Sequence, residues 1–160
     1  MKNQHIGLLG GGLSQAALAN RLAETGRWEV HALFLEGPLL SPKVDAARDF
    51  RDVLWLCGTL VLPDPVCREG LILNTPLWSG PPVDAGQFLG LIGKGVLLLA
   101  GTMTPAFARA AAAREVAVTP LPPVKREEDW PELVTVCLDR AGDKRVRPRP
   151  KRLGSPSAAE

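Results

Sequence analysis

The chain of 160 residues has no tyrosine, only two histidines and only three cysteines. Cys57, Cys67 and Cys137 are odd in number and form no C-x-x-C pair, so neither a disulfide framework nor a zinc site is expected. His5 lies ahead of the first strand and His31 at the start of the second, away from where an open sheet keeps its chemistry. No G-x-S-x-G elbow, phosphate-loop lysine or metal-spaced His/Asp/Glu pattern occurs. No catalytic residue and no metal ligand is therefore assigned. Uncharged apolar runs of about 18 residues are also missing, so no membrane span is expected. Met1-Lys2-Asn3-Gln4-His5 leads directly into a strand without a secretory pattern, which makes the cytoplasm the expected compartment. Residues 1–138 carry 12 Lys/Arg against 14 Asp/Glu, whereas residues 139–160 carry 7 against 3. A basic tail on a mildly acidic body does not make a nucleic-acid-binding face.

What the chain does have is a strand that runs into glycines. Ile6-Gly7-Leu8-Leu9 is followed by Gly10-Gly11-Gly12-Leu13-Ser14-Gln15, a helix-like run to Thr25, and a second strand from Val30 to Leu35 ending at Glu36. Glycines permit the tight turn, and the following helix offers unpaired N–H groups to an anion. The dinucleotide fingerprint G-x-G-x-x-G is met at Gly10 and Gly12, but Gln15 holds the third glycine position.

The remaining elements follow an α/β rhythm. Asp45 to Cys57 has a helical apolar face, although Val53-Leu54-Trp55-Leu56 also reads as extended; the helix is favoured. Thr59–Leu62 is strand three, and Leu71–Asn74 an edge strand or hairpin arm. Asp84 caps a helix through Ile92. Val96–Ala100 is strand four, Thr104-Pro105 opens an alanine-rich helix to about Arg114, and Glu115–Val118 is strand five. Lys125–Asp129 reads as a solvated helix start or loop, and Leu133–Leu138 as a last apolar patch. The expectation is a three-layer α/β, Rossmann-like or flavodoxin-like domain over 1–138. Its five-stranded, mainly parallel sheet takes the order 2-1-3-4-5, and a disordered Arg/Pro-rich tail occupies 139–160.

Ligands of such sheets lie at the carboxyl ends of the strands. Gly10, Gly12 and Ser14 are the candidate cofactor contacts, with Glu36, 24 residues beyond Gly12, placed to accept the ribose hydroxyls of NAD in preference to NADP. Gly11, Gly101, Thr102 and Thr104 are the candidate substrate contacts; a helix cap by itself accounts for Thr104 and leaves Thr102 for a ligand.

Five features in order carry a family resemblance over about residues 4–130. They are the turn from Gly10 or Gly11 through Gln15, Glu36, Leu62-Pro63, Ala100-Gly101-Thr102-Met103-Thr104 and Arg126-Glu127-Glu128-Asp129. Together they resemble the N-terminal domain of dipicolinate synthase A. The resemblance implies the substrate-side half of an oxidoreductase that converts a dihydrodipicolinate-type precursor to the spore component dipicolinate. It also implies a small dicarboxylic acid ligand, a main NAD(P) site on a second Rossmann domain, and a flavoprotein-like partner of the same synthase. After Asp129-Trp130 the chain departs from that family, giving Pro131–Leu138 and the basic tail in place of a linking helix and second domain. The expectation is a chain incomplete as an enzyme alone, either a stand-alone relative or a truncated or shifted frame. The alternatives are a stand-alone NAD(P)-binding module with Glu36 on the ribose, and a non-catalytic regulatory or assembly protein.

Overall fold

Buried apolar strands flanked by helices with one apolar face each can be satisfied only in layers. The computed structural model describes residues 4–34, 40–75, 82–92 and 95–142. Its main sheet contains β1 (His5–Leu9), β2 (Glu29–Leu33), β3 (Val44–Ala46), β4 (Thr59–Val61), β7 (Leu97–Ala100) and β8 (Ala117–Pro120). The spatial order is β3-β2-β1-β4-β7-β8, every pairing is parallel, and a separate antiparallel hairpin joins β5 (Cys67–Glu69) to β6 (Ile72–Leu73). Without β3 the order is the expected 2-1-3-4-5. With it, six strands follow the doubly wound order 3-2-1-4-5-6, which reverses between β1 and β4.

The extra strand corrects the reading of Asp45 to Cys57 as one helix. Val44, Asp45 and Ala46 pair with Val30, His31 and Ala32, and Ala47 N–H extends the pairing to the Ala32 carbonyl. The helix, α2 (Phe50–Leu56), starts only after Asp49, whose side chain accepts from Arg51 N–H at 2.9 Å. Strand five also begins later than expected, because Glu115 takes a left-handed φ of 58° after the alanine-rich helix.

Two apolar cores cover the faces. On one, α1 (Leu13–Glu24) and α5 (Trp130–Gly142) lay Leu18, Leu22, Leu133 and Leu138 against Ile6, Leu8, Val61 and Leu97. On the other, α2, α3 (Ala85–Ile92) and α4 (Pro105–Ala113) pack Val53, Phe88 and Phe107 against Leu9, Leu60 and Leu98. The apolar patch at 133–138 is thus the middle of a helix. It carries the folded body to Gly142, past the boundary expected at 138, with Ala141 buried. The rest of the expected tail, 143–160, lies outside the described residues. No described helix is long and apolar enough to cross a membrane.

The three cysteines are free and buried. Burial pushes the thiols of Cys57 and Cys137 up to about 12, with the Asp45 charge adding to the effect at Cys57. A pKa raised in the folded state holds a proton that the unfolded chain releases near its ordinary value. This contribution to stability is therefore complete below about pH 9 and is lost as pH rises towards 12. In a thiol-reagent assay at pH 8, Cys57 and Cys137 should stay unmodified in the native protein and react at once in denaturant.

Candidate functional site

β1 ends in a turn that only glycine accommodates well. Gly10 and Gly11 have φ of 60° and 93°, and a Cβ on Gly10 would collide with the Thr75 side chain. Gly10 N–H donates to the Leu33 carbonyl at 2.7 Å, tying the turn to β2. On the opposite side Gln15 Nε2 donates to the Val61 carbonyl at 3.1 Å, tying α1 to β4. The glutamine in the third glycine position thus spans the crevice at which the strand order reverses, with its side chain buried. Gly12 caps α1 through its backbone alone, and the first turn contains neither a capping side chain nor an acidic residue. Ser14 is exposed, so the positive end of the helix faces solvent without an internal counter-charge.

Across the crevice, the loops after β4 and β7 hold each other. Thr102 N–H donates to Asp64 Oδ1 at 3.1 Å, and Val66 N–H donates to the Thr102 carbonyl at 3.2 Å. Asp64 lies so close to Gly101 that a Cβ there would stand 3.0 Å from Oδ2. The Asp64–Pro65 peptide is cis. Leu121 N–H donates to the Ala100 carbonyl at 2.8 Å and sets the course of the loop after β8.

Between these loops, α1 and the start of α5 lies a cavity of about 330 Å³. Its polar lining comes from Ser14, Gln15, Asp64 and Thr102, and its apolar wall from Leu18, Val61, Leu121, Pro122, Pro123 and Trp130. Among the expected contacts, Ser14, Gly101 and Thr102 line it. Gly10, Gly11 and Gly12 shape the turn outside the lining, and Thr104 is the α4 cap, accepting from Phe107 N–H at 3.2 Å. Glu36 lies outside the described residues. Gln15 and Asp64 are lining groups that were not among the expected contacts, although Gln15 follows the carboxyl end of β1 and Asp64 that of β4.

The lining combines hydrogen-bonding groups, one acidic side chain and an aromatic face. Hydroxyls, an amide and backbone N–H groups can orient a carboxylate or carbonyl, and Trp130 offers a flat apolar surface. No histidine, cysteine, lysine or arginine is among the described lining residues, and Asp64 is the one ionisable side chain among them. Arg21 lies over the Trp130 ring at 4.6 Å and pairs with Glu127 at 3.0 Å, which engages that cation outside the lining.

No family model and no curated protein matches the sequence. Among solved structures, dipicolinate synthase A from Bacillus halodurans is similar with a TM-score of 0.54 and 11% identity over 72% of this chain. The A chain of dipicolinate synthase from Bacillus subtilis gives a TM-score of 0.51 and 10% identity over 75%. An imine reductase variant from Myxococcus stipitatus in complex with NAD+ gives a TM-score of 0.44 and 17% identity over 74% of this chain and 40% of its own. The matched region is 40% of each dipicolinate synthase chain. At this identity the likeness concerns architecture: over that region the chain has the α/β fold of dipicolinate synthase A.

Proposed function

We propose that this chain is the small-ligand-binding, Rossmann-type half of an oxidoreductase of the dipicolinate synthase A kind. Its cleft takes a small cyclic carboxylate such as a dihydrodipicolinate-type precursor of a spore component. It works with a dinucleotide, NAD or NADP, held mainly by another domain, and with a flavoprotein-like second subunit. The observation that carries this reading is Gln15, whose buried amide bonds the Val61 carbonyl at the position where the dinucleotide fingerprint has the glycine that lets helix and strand pack closely. Cavity size agrees: about 330 Å³ lies at the small end of the ~300–1,000 Å³ usual for ligand pockets, suited to a single-ring acid and not to a whole dinucleotide.

Recognition follows from the lining. One carboxylate meets the open N–H groups of α1 and the Ser14 hydroxyl, the ring lies along Trp130 and Pro122, and Thr102 bonds a ring substituent. A dicarboxylate of the dihydrodipicolinate type meets only one ionisable side chain in the described lining, the acidic Asp64, so its second charge needs a cation from outside that lining. The described residues do not complete a dinucleotide site, and hydride chemistry is assigned to no residue of this cleft.

The second reading, a self-sufficient NAD(P)-binding module, is favoured by the doubly wound strand order and the uncapped start of α1. Calorimetry on the full chain separates the two, with pyridine-2-carboxylate, pyridine-2,6-dicarboxylate, NAD+ and NADP+ as titrants. Pyridine carboxylate binding that falls about tenfold in Thr102→Val, the effect of one lost hydrogen bond, supports the cleft reading. Tight NAD+ binding lost in Glu36→Ala would replace it with the module, and binding of none of the four would leave a regulatory or assembly role.

A further inference from the structure

Parallel pairing of β1 with β2 sets His5 opposite Glu29, and His31 lies two residues further along β2 on the same face as Glu29. These residues sit at the amino ends of the strands, the opposite edge of the sheet from the cleft. His5 Nδ1 and His31 Nε2 are 2.8 Å apart, and one ligand atom from each of His5, His31 and Glu29 lies within 4.8 Å of the others. Behind them, Asp45 on β3 pairs with His31, its Oδ2 2.8 Å from Nδ1. A carboxylate accepting from Nδ1–H fixes the tautomer of His31, so its Nε2 lone pair faces His5. His31 is only 5% exposed, and its ring is locked in that orientation.

We propose that His5, His31 and Glu29 form a transition-metal site of the zinc class, with Asp45 holding His31 in its ligating orientation. Two imidazoles and one carboxylate are an established zinc donor set that leaves one coordination position for water. A carboxylate on the far nitrogen of a ligating histidine is the usual support for such a ligand. The nitrogen and oxygen donors suit zinc, cobalt, nickel or copper better than magnesium or calcium, which take oxygen alone. Nitrogens bound at ~2.0–2.1 Å to a tetrahedral zinc stand about 3.3 Å apart, so the pair must open by roughly half an ångström. His5 can supply that movement by rotating its ring, because it is half-buried at the first position of β1. The proton now shared by the two rings leaves His5 Nδ1 when the metal enters, and Nε2 of His5 takes one up from solvent so that the ring ligates as neutral imidazole. A bound ion would join β1 to β2 at their starts, independently of any ligand in the cleft.

The test uses the full chain without a histidine tag, treated with chelator and then titrated with cobalt(II) and zinc(II). The expected result is one ion per chain, the visible absorption of tetrahedral cobalt, and a higher unfolding temperature with zinc. Asp45→Asn should weaken zinc binding about 10–100-fold, and His5→Ala should weaken it further. His5→Ala is the decisive variant, since loss of the buried His31 could impair folding by itself. No stoichiometric binding, affinity unchanged in both variants, or a thiolate-to-cobalt charge-transfer band would overturn the proposal and leave the pair as a hydrogen-bonded His–His–Asp chain.

Discussion

Gly7→Val is expected to destabilise the domain by about 3 kcal/mol, the upper range for forcing side-chain volume into a filled core. Gly7 sits in the middle of β1 and faces α2. A Cβ there would lie 2.7 Å from Val53 Cγ1, 3.0 Å from Leu60 Cδ2 and 3.2 Å from Cys57 Sγ. Val53 and Leu60 are completely buried, so they cannot move into solvent to make room, and the two methyls of valine would add to the collision. Gly12→Ala is the matched control: nothing lies within 4 Å of its would-be Cβ, and its φ is −107°. As the cap of α1, with ψ at −137°, it should cost about 1 kcal/mol, well short of the loss in Gly7→Val. Denaturant titrations of both variants check this, and equal midpoints would contradict the close contact of α2 with β1.

Gln15→Gly should cost about 2–3 kcal/mol. Loss of a buried hydrogen bond to a backbone carbonyl contributes ~1–3 kcal/mol and glycine in a helix up to ~1 kcal/mol. The bond concerned joins α1 to Val61, the residue of β4 that pairs with Leu8 at the end of the β1–β4 ladder. Thermal unfolding of Gln15→Gly beside Gln15→Ala separates the two contributions. If the alanine variant is as stable as the parent, the amide does not hold the crevice closed.

The sheet was legible because its central strands are buried on both faces. Leu97, Leu98 and Leu99 are all completely inaccessible, and such strands read as unbroken apolar runs. β3 was not legible, for it has three residues, two of them exposed, and Ala46, Ala47, Phe50 and Val53 mimic a helical stripe across it. α5 did leave a signal: Leu133, Val134, Cys137, Leu138 and Ala141 follow helical spacing, and Pro131 is tolerated because it falls in the first turn. The cleft was half legible. Strand ends located Ser14, Gly101 and Thr102, whereas the roles of Gln15 and Asp64 depend on contacts across 46 and 38 residues. The histidine pair lies 26 residues apart and meets only through the register of two parallel strands, which no local pattern encodes.

The claim that Gln15 makes this a small-acid cleft and not a dinucleotide crevice is tested most directly by one calorimetric comparison. The parent chain and Gln15→Gly are each titrated with pyridine-2-carboxylate and with NAD+. The account predicts that the parent binds the carboxylate in preference to NAD+, and that Gln15→Gly, with the fingerprint glycine restored, shifts the ratio of the two affinities towards NAD+ by at least about tenfold, or ~1.4 kcal/mol. A parent chain that binds NAD+ more tightly than the carboxylate, with a ratio unmoved by the substitution, would contradict it.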